Sequence, residues 1–194
     1  FLAARDQVVV FVGQPASHDA EAWDRPSMSL AAADLEIIDR VTAAGKPFAV
    51  VLTGGAAIDV GSFSDDAGAV LMGWLGGQAF GSAVAQVLYG YSTPSGRLSE
   101  TFALAVEDHA SAVNFPGGPW TVDYGEGQLV GYRFFQSLDR EVAYPFGHGL
   151  SYVEFEYSGA EAPREVEDLS EGLDVSVRVT NTGDHPAKET VQVY

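Results

Sequence analysis

Cysteine is absent from the 194 residues, which excludes disulfides and thiolate metal sites and leaves the redox compartment open. Basic residues are scarce: 10 Lys and Arg stand against 27 Asp and Glu, for a formal charge of −17. Such a chain repels a phosphate backbone and has no basic patch to hold one, so nucleic acid is not expected as a partner. No apolar run approaches the roughly 20 residues of a membrane-spanning helix. With an apolar share of 46%, a soluble globular chain without a membrane partner is expected. The start, Phe1 to Asp6, has no charged leader followed by an apolar signal core and reads as an internal cut. Acidity without cysteine suits a secreted or periplasmic protein, and a cytoplasmic one as well.

What the chain does contain is a series of short apolar runs, each closed by glycine. Val8-Val9-Val10-Phe11-Val12 stops at Gly13; its lack of polar alternation predicts a strand covered on both faces, as in a parallel sheet sandwiched by helices. Residues 48–52 repeat the pattern before Thr53-Gly54-Gly55, and residues 69–74 repeat it before Gly76-Gly77-Gln78. Between the first two runs, Leu30, Leu35, Ile37, Ile38 and Val41 recur at near-helical spacing, and Gly45 and Pro47 supply a stop. A second helix is expected over residues 78–89, burying Phe80, Val84, Val87 and Leu88 and ending at Gly90. Strand, helix, strand, strand, helix predicts an α/β layered domain, a mostly parallel sheet flanked by helices, over residues 1–160.

From residue 92 to 152 periodicity fades into turns such as Pro94-Ser95-Gly96, Pro116-Gly117-Gly118-Pro119 and Phe146-Gly147-His148-Gly149. Long irregular stretches of this kind are more often functional or interface-forming than idle. Acidic residues and Pro163 make residues 161–172 a linker. Beyond it, Leu173, Val175, Val177 and Val179 alternate with polar residues in a half-buried antiparallel strand, Asn181-Thr182-Gly183-Asp184 is a turn, and Val191 and Val193 belong to a second strand. Two strands do not make a stable module, so residues 161–194 are expected to be a linker and the first strands of a truncated β-sandwich.

Chemistry is sparse. Gly76-Gly77-Gln78-Ala79-Phe80-Gly81 opens a helix after a strand, but it lacks a following Lys-Ser/Thr and the G-x-G-x-x-G pattern, so close strand–helix packing is favoured over a phosphate cradle. His18, His109, His148 and His185 have no metal-ligand spacing, and no metal is expected. His148, between glycines in an aromatic turn, suits a structural hydrogen bond. Ser95 and Ser99 lack the G-x-S-x-G of an α/β-hydrolase nucleophile. Glu21 lies on the loop after the first strand, in His18-Asp19-Ala20-Glu21-Ala22-Trp23-Asp24-Arg25-Pro26. Solvation is the ordinary fate of a loop glutamate, and only its context raises it above that.

That context is a family pattern. Residues 19–26 resemble the E-G-x-D-R segment of family 3 glycoside hydrolases, the β-glucosidase and β-xylosidase group. Trp74-Leu75-Gly76-Gly77-Gln78 looks like its tryptophan-to-glutamine element, and Pro94-Ser95-Gly96-Arg97-Leu98-Ser99-Glu100-Thr101-Phe102 is similar to its P-S-G-R-L segment. Asn114-Phe115-Pro116-Gly117, Tyr124-Gly125-Glu126-Gly127 with Gly131-Tyr132-Arg133-Phe134, and Pro145-Phe146-Gly147-His148-Gly149-Leu150-Ser151-Tyr152 follow in the family's order. Val179-Thr180-Asn181-Thr182-Gly183, Lys188-Glu189 and Val191-Gln192-Val193-Tyr194 resemble its trailing fibronectin-III-like module. Ser99 and Ala103 stand where prolines are usual, and Ala22 where glycine is common.

In that family a (β/α)₈ barrel supplies an aspartate nucleophile and an α/β sandwich domain supplies the general acid/base glutamate. The resemblance implies that this chain is the C-terminal part of a retaining β-glycosidase of terminal β-linked glucosides or xylosides. It maps the acid/base onto Glu21, gives Asp24 and Arg25 the support of its loop, and calls for no cofactor. His18, Trp23, Phe115, Trp120 and Tyr124 become candidate contacts to sugar, the aromatics by stacking, although burial is the commoner role of an aromatic. The implied partners are a barrel domain or chain carrying the nucleophile and a β-linked oligosaccharide or aryl glycoside; self-association is compatible with the pattern. Two alternatives stay open: a non-catalytic carbohydrate-binding or scaffolding module of the same architecture, and a flavodoxin-like domain with no sugar role.

Overall fold

The computed structural model describes residues 2–15, 20–21, 24–165, 170 and 172–194. Val8–Gly13 (β1), Phe48–Thr53 (β2) and Ala69–Met72 (β3) form a parallel sheet in the order β1-β2-β3. Val8 pairs with Phe48 and Ala49 with Ala69. The central strand loses both faces to the protein: Val50, Val51 and Leu52 are wholly buried, each stabilising the fold by about 1.5–3 kcal/mol through removal of apolar area from water.

Two covered faces were expected of β1 as well, and there the structure differs. Val10 and Val12 enter the core, while Val9 and Phe11 remain 43% and 57% exposed. Successive side chains point to opposite faces, and the described residues cover the second face of this edge strand only in part. An apolar run records that a strand tolerates burial on both sides, not which neighbours are present.

Ala32–Ala43 (α1) packs on β1 and buries Ile38 and Val41, with Leu30 buried just before it, while Ile37 is exposed. The helix stops where the sequence predicts: Gly45 adopts φ +64° and its N–H donates to the Thr42 carbonyl at 2.9 Å. Phe80–Leu88 (α2) follows a 3-10 turn over Gly77–Ala79, so the α-helix begins two residues later than expected. Val84 is buried and Val87 half-buried, but Leu88 is exposed. The glycines before this helix admit a ring. A Cβ on Gly73 or Gly76 would meet a carbon of the Phe80 ring at 2.4 Å, which accounts for them by close packing.

The turn-rich middle of the chain is ordered by pairing its own motifs. Leu98 N–H donates to the His148 carbonyl, Gly147 N–H to that of Leu98, and Phe102 N–H to that of Tyr144, each at 2.8 Å. Tyr132–Ser137 (α3), not anticipated from the sequence, contributes Phe135 to a second core with Met28, Ala57, Phe102 and Ala103. Its six residues are too short to leave a periodic signal.

The chain divides into two compact units, residues 1–84 with 98–148 and residues 85–97 with 149–194. In the second, Phe155–Glu161 (β4) pairs antiparallel with Ser176–Asn181 (β5). β5 shows half of the expected alternation, Val177 and Val179 half-buried between exposed neighbours, while Leu173 and Val175 precede the strand and are exposed. Residue 161, expected to open a linker, ends β4 instead, and residues 166–169 and 171 of that segment lie outside the described residues. The strand expected at 190–194 is not formed. Its neighbourhood is held by side chains: Thr190 Oγ1 donates to the Ser95 carbonyl at 2.7 Å, and Glu189 accepts from Arg97 and, at 2.5 Å, from the Tyr157 hydroxyl.

Candidate functional site

The loop that carries Glu21 leaves the carboxyl end of β1, where parallel α/β sheets present ligand sites. Its return is fastened to the ends of β1 and β2. The Gln14 N–H donates to the Thr53 carbonyl at 2.9 Å and its side-chain amide to the Ser29 carbonyl at 2.8 Å. Asp59 N–H donates to the Met28 carbonyl at 2.9 Å, and Met28 and Leu30 are buried.

Glu21 itself lies in a turn with its side chain exposed. Four residues on, Arg25 is half-buried; its Nη2 donates to the Ala57 carbonyl at 2.7 Å, joining the loop to the segment after β2. Hydrogen bonds from a charged donor are about twice as strong as neutral ones. The other terminal nitrogen, Nη1, is buried and has no hydrogen-bond partner among the described residues. Asp24 is exposed to solvent on one side.

Asp24 and Arg25, with Met28, Ala57, Phe115 and Pro116, line a cavity of about 610 Å³. Glu100, Glu107 and His109 complete its ionisable lining. Burial pushes the Glu100 carboxyl above the ordinary value, against a lowering hydrogen bond with the Ala57 backbone and the nearby Arg25 charge. Burial pushes His109 down, partly countered by the Asp108 charge, and its ring stands edge-on to Phe135 at 5.8 Å.

Of the candidate residues, the structure thus brings Asp24, Arg25 and Phe115 to one cavity. Trp120 and Tyr124 are 93% and 81% exposed and do not border it. His18 and Trp23 lie outside the described residues. His148 packs its ring against Tyr144 at 4.8 Å, and its backbone carries the clasp with Leu98. Glu100 was missed by sequence reasoning, where it filled an unassigned position before Thr101 and Phe102. The available signal was local: a lone carboxylate followed by three residues, Thr101, Phe102 and Ala103, that the fold buries. Among the described residues no cluster of His, Asp and Glu is arranged to hold a metal ion, and no helix is long and apolar enough to cross a membrane.

The profile of the Glycosyl hydrolase family 3 C-terminal domain matches residues 2–152, and the chain belongs to that glycoside hydrolase family. Among curated relatives, it is 40% identical over 194 residues to the thermostable β-glucosidase B of Acetivibrio thermocellus, covering 99% of this chain and 25% of that protein. It is 39% identical over 189 residues to an exo-α-(1→6)-L-arabinopyranosidase of Bifidobacterium longum, covering 97% of this chain and 25% of that protein. The crystal structure of the Bifidobacterium adolescentis GH3 β-glucosidase superposes with a TM-score of 0.87 at 37% identity, over 96% of this chain and 27% of that one. The chain spans about a quarter of the length of the curated relatives it matches.

Proposed function

We propose that this chain is the C-terminal part of a retaining β-glycosidase and that Glu21 is its general acid/base. The observation that carries this reading is the placement of Glu21 on a loop at the carboxyl end of the parallel sheet, four residues before the Arg25 anchor. Retaining hydrolysis uses two carboxyl groups about 5–5.5 Å apart, one attacking the anomeric carbon and the other protonating the departing oxygen, then deprotonating the incoming water. Glu21 takes the second part. A barrel domain, in the same polypeptide or another, supplies the attacking aspartate and covers the exposed Glu21, excluding water from the reacting atoms.

The division of labour along the chain follows from this. Residues 1–160 form the acid/base-bearing α/β domain; residues 161–194 are the linker and first strands of a fibronectin-III-like module. The antiparallel pairing of β4 with β5 supports an all-β character at this end. Asp24 and Arg25 hold the acid/base loop, and Phe115 borders the leaving-group side. The substrates are β-linked glucosides or xylosides. Because relatives of near-equal identity carry different sugar names, an aryl α-L-arabinopyranoside belongs in the substrate panel.

The test is Glu21→Ala in the complete assembly with its barrel. Hydrolysis of substrates with poor leaving groups is expected to fall by about 10²–10⁴-fold, the usual contribution of a general acid, and azide is expected to restore turnover of activated aryl glycosides. Unchanged rates would remove Glu21 from the mechanism. Calorimetric binding of a sugar by this chain without any barrel would favour a carbohydrate-binding module in its place.

A further inference from the structure

We propose that Glu100 is a positioning residue for the acid/base loop, acting through Arg25 in the cavity that they share. The inference rests on the reading of Glu21 as acid/base and adds a carboxylate that the family pattern left without a role.

Three observations converge on it. The first is a shared anchor. Ala57, itself buried, accepts the Arg25 Nη2 hydrogen bond through its carbonyl at 2.7 Å and lines the same cavity as Glu100, whose charged form its backbone favours. One residue after β2 therefore connects the loop of Glu21 to the segment that carries Glu100. The second is the electrostatics of Arg25. Among the described residues its buried Nη1 has no hydrogen-bond partner, and no carboxylate forms an ion pair with Arg25. A partly desolvated guanidinium favours a nearby counter-charge, and Glu100, in the same cavity, feels the Arg25 charge. The third is rigidity. Thr101, Phe102 and Ala103 are buried, Phe102 is bonded to Tyr144 in both directions, and Thr101 Oγ1 accepts the Phe146 N–H at 3.3 Å. Glu100 projects from the firmest part of the turn-rich stretch, while Glu21 sits in an exposed turn.

The other charged groups on the cavity wall do not replace it. Asp24 lies next to Arg25 on the acid/base loop and is exposed to solvent. Glu107 and His109 enter from the segment after Ala105, and His109 faces Phe135 and Asp108. Glu100 is the wall carboxylate that shares the Ala57 backbone with Arg25. Loss of its charge leaves the half-buried guanidinium without compensation, the Arg25 arm shifts, and the carboxyl four residues before it no longer meets the departing oxygen. A misplacement of about 1 Å at a catalytic group costs up to roughly 100-fold in rate.

The experiment compares Glu100→Gln, Glu100→Asp and Glu21→Ala in the complete enzyme, on methyl and dinitrophenyl glycosides of whichever sugar the parent hydrolyses. Glu100→Gln is expected to lower kcat for the methyl glycoside by about 10- to 100-fold, with KM unchanged within about twofold and with the dinitrophenyl glycoside, which needs little protonation, nearly unaffected. The acid limb of its kcat–pH profile should shift relative to the parent. Glu100→Asp, which keeps the charge, should recover part of the loss, and it carries the comparison if the glutamine variant fails to fold. Equal losses on both substrates, or no loss on either, would overturn the positioning role while a defective Glu21→Ala left the acid/base assignment standing. Full activity of Glu21→Ala would overturn both.

Discussion

At the scale of single residues, Glu100 and His109 are the cavity groups whose titration burial moves. Desolvation raises the Glu100 carboxyl above its ordinary value even against the Ala57 hydrogen bond and the Arg25 charge. The sign of the linkage follows. Above the ordinary carboxylate range the unfolded chain has released this proton while the folded chain still holds it, so the folded state binds more protons and stability falls as pH rises. The fall occupies the window between the ordinary and the raised value and ends above it. Glu100→Gln is therefore expected to flatten the pH dependence of the urea midpoint in the weakly acidic range. A difference between parent and variant that stays constant from about pH 4 to pH 8 would contradict this. Arg25 makes the complementary point, since its role came from a motif but its partner, the Ala57 carbonyl, lies 32 residues away. Spacing along a chain does not encode such a partner.

At the scale of elements, the parallel strands and α1 were legible because each has a local cause. β-Branched runs favour extended backbone, periodic apolar residues favour a helix, and Gly45 supplies the left-handed stop. The errors came where a neighbour decides. Val9 and Phe11 lie exposed on an edge strand, Leu88 falls off the buried face of α2, and residues 190–194 alternate like a strand but pair with no strand among the described residues. Side chains hold that last segment instead. Glu189 is 6% exposed at its side chain and receives Arg97, whose other nitrogen donates to the Gly149 carbonyl. Removing one partner of a buried pair leaves an uncompensated charge, at a cost of about 3–5 kcal/mol. Glu189→Ala is expected to destabilise residues 85–97 and 149–194 by about 3 kcal/mol, read as a lowered denaturation midpoint and faster amide exchange in β4 and β5. An unchanged midpoint would mean that Thr190 and the β4–β5 ladder suffice.

At the scale of the whole molecule, membership of glycosyl hydrolase family 3 rests on motifs strung in order over residues 2–152, while catalysis needs two carboxyl groups from opposite sides of a sugar. This chain spans a quarter of its curated relatives, and the acid/base half of that pair is what Glu21 supplies in the proposal. The chain on its own is therefore expected to leave an aryl β-glycoside intact under conditions where the complete assembly turns it over. Release of the aryl alcohol by the purified chain, abolished by Glu21→Ala, would place a nucleophile within these residues. The exposed face of β1 and the exposed Trp120 and Tyr124 belong to this scale as well, because what covers an apolar surface is a property of the assembly.

Family, layered α/β class and the position of the Glu21 loop were all readable from order and composition, because short-range propensity, glycine placement and motif sequence are properties of neighbouring residues. The cavity, the Arg25–Ala57–Glu100 connection and the pinning of residues 188–190 were not. Each joins groups tens of residues apart, and each acquires its energy from burial, which exists only once the chain has closed around it.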